Sequence, residues 1–299
     1  MIIINNLQVS YGSQLALSIN EPITFNDGDR IGIIGSNGAG KSTFVKTILG
    51  LTNYQGSIVT DLKPEEIAVH MQHNHYASTM AVKHIMEAIL NTRIKNNKML
   101  QDLITFFDFE GCLNKKYASL SGGQKQRLTI ILVLIQDSPL VFFDEVTSGL
   151  DFETRQKLMT KMGDWYRDKN TTLCIVSHYY EELEQLVNKI LILEDGQVVD
   201  FGDKDQLFYN YCGKTVITLD NTPKNTELTK NLKKLNAPAH LIALSCPNSE
   251  LEKEITSILI KENVNYKRSN NDIEIMSINA KAHFSSKKAG GMKNEEKTA

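Results

Sequence analysis

The stretch GSNGAGKST, from Gly35 to Thr43, decides the fold of this chain. Its spacing, Gly-x-x-x-x-Gly-Lys-Ser, is typical of a loop whose backbone N–H groups surround a polyphosphate. The apolar run from Arg30 to Ile34 predicts a buried strand before the loop, and Phe44 to Leu49 predict a helix after it. Because a plain glycine-rich turn would not explain a Lys-Ser pair at this offset, the motif predicts a nucleotide site.

Within this phosphate loop, each residue type has a physical reason. Glycine allows backbone dihedrals and a close approach that a Cβ atom would block, and the helix N-terminus directs the positive end of its dipole at the phosphates. Lys41 is expected to reach the β- and γ-phosphates, and the Ser42 hydroxyl to ligate Mg²⁺. The predicted nucleotide contacts in the loop are Gly35, Ser36, Asn37, Gly38, Ala39, Gly40, Lys41, Ser42 and Thr43.

A second candidate element is the apolar run from Leu140 to Phe143, which ends in Asp144 and Glu145. The run predicts a buried parallel strand that presents two carboxylates at its end. In nucleotide-hydrolysing proteins with a phosphate loop, the first acid would hold Mg²⁺ through water and the second would polarise the attacking water. Taken alone, a strand that ends in acidic turn residues is the simpler interpretation.

The stretch LSGGQKQR, from Leu120 to Arg127, decides between these interpretations. Ser-Gly-Gly at the start of a helix makes a second anion site from a hydroxyl, backbone amides and the helix dipole. With it, the chain strongly resembles the ATP-binding subunit of an ATP-binding-cassette (ABC) transporter. The resemblance implies a head-to-tail dimer with two shared ATP molecules, in which this signature serves the nucleotide of a second copy. The signature contacts it implies are Ser121, Gly122, Gly123 and Gln124.

Further family markers occur in family order. By resemblance, Tyr11 stacks on adenine, Gln72 touches Mg²⁺ and moves with the transmembrane partner, and His178 contacts the γ-phosphate. The segment from Ser148 to Asp151 matches the loop that crosses the dimer interface. Without the resemblance, Asp151 would be an ordinary helix N-cap, and the tyrosine and histidine would be packing residues. The resemblance therefore implies Glu145, His178 and Gln72 as catalytic residues and Ser42, Gln72 and Asp144 as metal ligands.

The resemblance covers about residues 1–212 and implies an α/β fold, that of the P-loop ABC ATPases, with a helical signature subdomain at about 80–135. Two positions depart from the family pattern, because Val146 and Phe152 stand where proline is common. Neither change removes a catalytic group, although proline would restrict the backbone of the crossing loop more strongly.

Residues 213–284 predict a small α+β accessory domain, a kind of appendage that many exporter-type subunits carry, and 285–299 predict a disordered tail without apolar anchors. The predicted strands are Thr215 to Leu219, Leu241 to Ser245 and Ile273 to Ile278. One predicted helix lies near Glu227 to Leu235, and another follows a capping-box pattern of Ser249 with Glu252.

Composition indicates a globular protein, with 299 residues of which 41% are hydrophobic and 23% charged. The formal charge of −2 and the pI of about 6.4 show no excess of basic residues of the kind that nucleic-acid binding requires, so we expect no nucleic-acid partner. The 4 cysteines are scattered without Cys-x-x-Cys spacing, which predicts reduced thiols in the cytoplasm. The N-terminal sequence predicts a first strand and no signal peptide.

The apolar run from Ile130 to Ile135 in the signature helix is far shorter than the roughly 20 residues that span a bilayer. Any channel is therefore expected in a separate permease chain. By resemblance, the subunit would lie in the cytoplasm, peripheral on the inner face of the plasma membrane. A permease helix would dock near the glutamine loop, where Tyr76 is predicted as an exposed anchor.

Three histidines, His70, His73 and His75, surround Gln72 and raise the question of a metal site. In an extended strand, His70 would share one face with Gln72, while His73 and His75 would share the other. A single tetrahedral site would need the strand to break, so a solvated loop is the preferred interpretation.

The predicted function is ATP hydrolysis, with Mg²⁺, by a homodimer or pseudo-dimer that drives export through a separate permease. The segment from Ser177 to Glu182 and the short helical subdomain resemble exporters of drugs, lipids or antimicrobial and toxin-like peptides. The main alternative is a soluble ABC ATPase outside transport, for example in cofactor assembly. A nucleotide-sensing regulator without turnover is disfavoured by the intact Glu145.

Overall fold

The structure, a computed structural model, describes residues 1–71 and 76–295, with side chains described as far as residue 288. Its larger sheet has 10 strands. They are β1 (Ile2–Tyr11), β2 (Gln14–Ile19), β3 (Ile23–Phe25), β4 (Arg30–Gly35), β5 (Gln55–Thr60), β6 (Ile67–His70), β7 (Leu140–Asp144), β8 (Thr172–Val176), β9 (Lys189–Glu194) and β10 (Gln197–Asp203). The strand order is β3-β1-β2-β10-β9-β4-β8-β7-β6, and β5 pairs with β1.

The centre of this sheet is parallel, from β9 through β4, β8 and β7 to β6. Each parallel connection runs through a helix or the helical subdomain. The helices of this part are α1 (Lys41–Ile48), α2 (Val82–Ile89), α3 (Lys98–Phe106), α4 (Gly122–Leu134), α5 (Phe152–Tyr166), α6 (Tyr180–Leu186) and α7 (Lys204–Cys212). Parallel strands bring their carboxyl ends to one edge, so the loops after β4, β7, β8 and β9 meet there.

Alternation along the parallel strands fills a core on each face of the sheet. In β7, Leu140 and Phe142 pack in one core, whereas Val141 and Phe143 pack in the other. A strand buried on both faces reads as a continuous apolar run, which explains why these segments could be recognised as strands. The predicted α/β architecture, with a helical subdomain, is observed.

The helical subdomain lies between β6 and β7 and includes α2, α3 and α4. Asn97 caps α3 by accepting a hydrogen bond from the Leu100 backbone N–H at 3.0 Å. Phe107 and Phe109, just after α3, are fully buried and belong to the same core as α4. The subdomain is thus packed onto the sheet and holds the N-terminus of α4 in place.

The chain after Gly213 forms a second, antiparallel sheet of 4 strands in the order β12-β13-β11-β14. Its elements are β11 (Thr215–Asp220), α8 (Pro223–Leu228), β12 (Lys234–Leu235), β13 (Leu241–Cys246), α9 (Ser249–Lys261), β14 (Lys267–Ser269) and the last helix, α10 (Ile273–Glu295). A separate core fills one face of this sheet, with Ile217, Leu244 and Leu259 among its members. The division at residue 213 stays a prediction.

The predicted strand from Ile273 to Ile278 is wrong, because α10 begins at Ile273. Asp272 starts the helix by accepting a hydrogen bond from the Ile275 N–H at 3.0 Å. Ile273, Met276 and Ala280 recur at helical spacing and are buried against the larger domain. The helix continues through 285–295, where composition predicts disorder.

The predicted helix near Glu227 to Leu235 is also wrong. Thr222 caps a helix that begins at Pro223 and ends at Leu228, since proline suits a first helical position. Lys234 and Leu235 instead pair with β13. The capping-box assignment of Ser249 is wrong by one residue, because Asn248 caps α9 and accepts from the Leu251 N–H at 2.9 Å.

The cysteines are distributed over different packing regions. Cys112, Cys174, Cys212 and Cys246 are all buried and none forms a disulfide. Burial raises the pKa of Cys212 to about 12 and that of Cys246 to about 11. Among the described residues, no helix is both long and apolar enough to cross a membrane.

Candidate nucleotide site

The phosphate loop joins β4 to α1 and has the backbone geometry that its glycines permit. Gly38 and Gly40 have φ values of 84° and 99°, in the left-handed region that favours glycine. A Cβ atom on Gly35 would lie 2.4 Å from the carbonyl oxygen of Leu193 on the neighbouring β9. The loop is therefore built against β9, and α1 starts directly behind it.

Lys41 is 6% exposed, and its ammonium group lies inside the loop. Nζ donates to the carbonyl oxygens of Gly35 at 2.8 Å and Ser36 at 3.0 Å. Burial lowers the pKa of Lys41, while the carboxylates of Glu145 and Asp144 oppose this effect. A cation at the centre of the loop is placed to offset phosphate charge.

The predicted Mg²⁺ ligands on α1 and β7 lie side by side. Ser42 Oγ donates to Asp144 Oδ2 at 3.3 Å. Burial, followed by the nearby charge of Glu145, raises the pKa of Asp144. A hydroxyl and a poorly hydrated carboxylate are hard oxygen ligands, so the pair fits Mg²⁺, whose charge would also offset the unfavourable burial.

Glu145 and His178 meet because β7 and β8 are neighbours in the sheet. The Glu145 N–H donates to the Val176 carbonyl oxygen at 2.9 Å, and Glu145 has a positive φ of 50°. Its Oε1 lies 3.0 Å from Nε2 of His178. This local backbone turns both side chains toward the phosphate loop, the position that a water-polarising carboxylate requires.

Lys41, Ser42, Glu145 and His178 line one cleft of about 860 Å³, and Asp144 contacts Ser42 beside it. Tyr11 stands at its mouth with about half of its surface exposed, so its ring is available for stacking on a base. The cleft is lined by Tyr11, Gln14, Leu15, Ala16, Asn37, Gly38, Ala39, Gly40, Lys41, Ser42, Thr43, Glu145, His178, Asp195 and Gly196. Its size and its mixture of phosphate-binding and aromatic groups fit ATP.

Sequence reasoning missed one wall of this cleft, which is made by β2 and the Asp195-Gly196 turn. The Ser18 N–H donates to the Gly196 carbonyl oxygen at 2.6 Å, which fixes the turn on β2. A Cβ atom on Gly196 would lie 2.7 Å from the Ala16 carbonyl oxygen. The dipeptide marked a turn, but only the pairing of β10 with β2 places that turn beside the phosphates.

The signature residues lie at the N-terminus of α4 and are not among the residues that line this cleft. Ser121 Oγ accepts from the Gln124 N–H at 3.3 Å, and Gln124 Oε1 accepts from the Ser121 N–H at 3.1 Å. This reciprocal capping box fixes the helix start. Gly122 and Gly123 form the first turn of the helix, so their amides point out of its end.

The loop predicted to cross a dimer interface is tied to the signature helix. Gln126 Nε2 donates to the Ser148 carbonyl oxygen at 3.0 Å. Asp151 caps α5 and accepts from the Thr154 N–H at 2.9 Å. Of the two positions that lack proline, Val146 is buried and Phe152 is largely exposed.

A buried acid that the sequence did not single out, Glu182, supports the segment around His178. Ser177 Oγ donates to Glu182 Oε2 at 2.8 Å, and Arg155 Nε lies 3.6 Å from Oε1. The Arg155 guanidinium also stacks 3.8 Å from the centre of the Tyr179 ring. Burial raises the pKa of Glu182, with hydrogen bonds from Thr147 and Ser177 opposing it. The network joins α5 to the residues on both sides of His178.

Several predictions concern the segment after β6. Gln72, His73 and His75 lie outside the described residues, so their assignments stay predictions. His70 is buried beside Phe143, and burial lowers its pKa to about 4, which fits a core residue. Within residues 1–71 and 76–295, no group of three His, Cys, Asp or Glu side chains could hold a metal ion.

The expectation that Tyr76 is an exposed anchor is wrong. Its ring packs edge to face on Tyr117, with 5.3 Å between ring centres. Its hydroxyl is hydrogen-bonded to Thr129 of α4, and burial raises its pKa. An aromatic residue next to an exposed methionine looked like a surface anchor, but α4 offers it a polar partner inside the subdomain.

Comparison with known proteins agrees with the geometry. A family described as "ABC transporter" matches residues 20–148. The methionine import ATP-binding protein MetN of Clostridioides difficile is 29% identical over 226 residues, 70% of each chain. The energy-coupling factor transporter ATP-binding protein EcfA1 of Ureaplasma parvum is 27% identical over 266 residues, 84% of this chain and 89% of the relative.

Among solved structures, a dimeric ATP-binding cassette in a post-hydrolysis state, bound to ADP and phosphate, superposes with a TM-score of 0.60. It is 23% identical, and the match covers 68% of this chain and 98% of the solved one. The sheet, the phosphate loop and the helical subdomain thus recur in a known architecture. The fold is that of the P-loop ABC ATPases, as predicted, and the match of residues 20–148 to the ABC transporter family, together with the paired groups around Lys41, shows an ABC ATPase domain that uses ATP and Mg²⁺.

Proposed function

We propose that this chain is one of two ATPase subunits that drive a solute into the cell through a separate permease. The observation that carries the proposal is that Lys41, Ser42, Glu145 and His178 line one cleft, with Asp144 hydrogen-bonded to Ser42. An intact capping box at Ser121 lies outside that cleft. A signature that does not serve its own cleft supports a second cassette that uses it.

Each residue then has a role in hydrolysis. Lys41 and the loop amides offset the charge of the β- and γ-phosphates, and Ser42 with Asp144 positions Mg²⁺. Glu145 polarises the attacking water, while His178 contacts the γ-phosphate and is oriented by the 3.0 Å contact with Glu145. Tyr11 stacks on the adenine ring. Ser121, Gly122, Gly123 and Gln124 contribute to the partner's nucleotide, and Gln72 responds to Mg²⁺ and the permease.

Closing of the dimer couples this chemistry to transport. Two ATP molecules add contacts between the cassettes that an open dimer lacks, and hydrolysis with phosphate release removes them. The tie from Gln126 to Ser148 links the signature to the crossing loop, so both are placed to respond together. The subunit would be held at the cytoplasmic face of the membrane by its permease.

The direction of transport is inferred from the relatives. The curated relative with 29% identity is named for methionine import, and the match covers 70% of both chains. The local geometry of the segment from Ser177 to Glu182, on which the exporter assignment rests, serves Glu145 and Arg155 within the cassette. These contacts would be needed for hydrolysis in either direction, so this segment does not favour export.

Export is the second candidate, and the accessory domain favours it. By resemblance, appendages of this kind occur in many exporter-type subunits, and the strands β11 to β14 form a sheet with a core of its own. A drug, lipid or peptide would then be the substrate class.

Inside-out membrane vesicles separate the two directions. The chain is first co-purified with its multi-spanning partner, and the complex is placed in vesicles with the ATPase subunits outside. Import predicts that ATP added outside releases preloaded methionine or another small solute, whereas export predicts accumulation of a fluorescent hydrophobic dye inside. Vesicles that carry Glu145→Gln provide the control. Absence of any co-purifying membrane protein would contradict the transport assignment and favour a soluble role.

A further inference from the structure

The last helix, α10, reaches the phosphate loop from the C-terminal side of the chain. Lys281 Nζ on α10 lies 2.7 Å from Glu194 Oε2, at the end of β9. The same oxygen accepts a hydrogen bond from Ser36 Oγ, in the phosphate loop, at 3.0 Å. Lys281 and Ser36 are thus joined through one carboxylate, although they are far apart in sequence.

The negative charge of this carboxylate would repel the phosphates of ATP. Burial favours the neutral form of Glu194, but the hydrogen bonds from Lys281 and Ser36 prevail and lower its pKa. Glu194 is therefore ionised beside a loop that receives a polyphosphate. Only a quarter or so of each side chain is exposed, since the values are 23% for Lys281 and 26% for Glu194, so water screens the pair only partly.

A second attachment holds α10 against the segment after β8. The hydroxyl of Tyr180 is hydrogen-bonded to Ser277 on α10. The Ile273 N–H donates to Glu184 Oε1 at 3.4 Å, which adds a contact to α6. The first turns of α10, through Ala280, are buried in the same core as α6 and α7. The packing and the hydrogen bonds of α10 therefore fix the position of Lys281, which is not a freely mobile surface residue.

We propose that Lys281 is a positioning residue for the phosphate loop. It neutralises Glu194, keeps that carboxylate as the acceptor for Ser36, and so makes the affinity for ATP depend on the docking of α10. The accessory domain thereby acts on the nucleotide site of its own chain. This inference rests on the ATP site and is independent of the direction of transport.

The test compares two lysines of the same helix in the full chain. Lys281→Met removes the cation beside Glu194, and Lys287→Met removes an exposed cation further along α10 as a matched control. Calorimetry measures the Kd of Mg²⁺ with a non-hydrolysable ATP analogue. We expect Lys281→Met to weaken binding about fivefold, as for a partly buried ion pair. Lys287→Met should bind like the wild type, and Lys281→Arg, which keeps the charge, should remain within about twofold.

A charge-removal rescue distinguishes this role from simple packing. Glu194→Gln in the Lys281→Met background removes the uncompensated carboxylate, so the affinity should return to that of Glu194→Gln alone. Equal affinity in Lys281→Met and the wild type would overturn the proposal. If Lys281→Met weakens binding of the analogue and Glu194→Gln does not restore it, the proposal is overturned as well, since that result indicates disturbed packing. If the wild type itself bound no analogue, that result would contradict the ATP site and not the role of Lys281.

Discussion

The two sheets of the molecule are covered in different ways. The parallel strands of the cassette carry large apolar side chains toward both faces, as Phe142 and Phe143 show in β7. The antiparallel sheet of the accessory domain fills only its outer face with large side chains such as Leu244. Toward the cassette it presents smaller or polar residues, and Ser245 Oγ donates to the Cys212 carbonyl oxygen at 2.8 Å.

This difference separates two tasks. The cassette sheet has its titratable groups at the carboxyl ends of strands whose positions are fixed by packing on both sides, so its site is held rigidly. The accessory sheet has an independent core and a partly polar joint. The helix that follows it, α10, is linked to the phosphate loop through Glu194. We therefore expect changes in the cassette sheet to affect chemistry or global stability, and changes in the accessory core to act locally.

The largest effect should come from the chemistry at the end of β7. Glu145→Gln preserves the shape of the side chain but removes its ability to accept a proton, so turnover should fall about 10²–10⁴-fold. ATP binding and the melting temperature should stay near the wild-type values. Phosphate release measures turnover, and Glu153→Gln, on the exposed first turn of α5, is the control. Near wild-type hydrolysis by Glu145→Gln would mean that another group polarises the attacking water.

Phe142→Ala should cause the largest loss of stability. Phe142 is fully buried, and removing such a ring costs about 3–5 kcal/mol of unfolding free energy. The single tryptophan, Trp165 on α5, packs near Phe106 in the cassette, so its fluorescence reports unfolding there. The urea midpoint of this signal should fall sharply. An unchanged midpoint would mean that the two cores of the cassette sheet unfold separately.

Leu244→Ala tests the accessory core by the same measure. The side chain is fully buried in the outer core, so about 2–5 kcal/mol should be lost locally. If the two cores are separable, circular dichroism should show an earlier transition while the Trp165 midpoint moves less than in Phe142→Ala. Equal shifts of the Trp165 signal in both variants would show that the chain unfolds as one unit.

The smallest effect concerns the pH dependence of stability. Because burial raises the pKa of Glu182, the folded state binds this proton more tightly than the unfolded state does. The stabilisation is complete below the unfolded pKa of about 4.3 and is lost as the pH rises through the folded value. Glu182→Gln lacks this loss, so its melting temperature relative to that of the wild type should rise as the pH increases above the unfolded value of about 4.3. A constant difference would contradict the raised pKa.

The sequence predicts the cassette well because its signals are local. The phosphate loop needs glycine and lysine at fixed spacing, and buried parallel strands such as β7 and β8 read as continuous apolar runs. The same reasoning failed for α10, because Ile273 and Ile275 alternate like a strand while Ile273, Met276 and Ala280 also fit a helix. Burial against α6 and α7, a long-range effect, decides between these patterns.

The sequence did not predict some parts of the site for the same reason, because long-range packing places them. Asp195-Gly196 predicts a turn, but only the pairing of β10 with β2 places that turn at the cleft. Glu182 looks like one acid among several on a polar helix until folding brings Arg155 and Ser177 to it. Lys281 carries no motif at all, and its contact with Glu194 exists only because α10 packs across the cassette.

The buried cysteines provide four natural reporters of regional opening. Cys174 belongs to one core of the cassette sheet, Cys112 to the core that includes the helical subdomain, and Cys246 to the accessory core. Cys212 lies at the joint between the two sheets. A thiol reagent modifies a buried cysteine only when its surroundings open, so the labelling rate at each position measures the local opening free energy. Mass spectrometry of the labelled peptides could thus resolve, without any engineered probe, whether ATP slows opening at the joint as well as in the cores of the cassette.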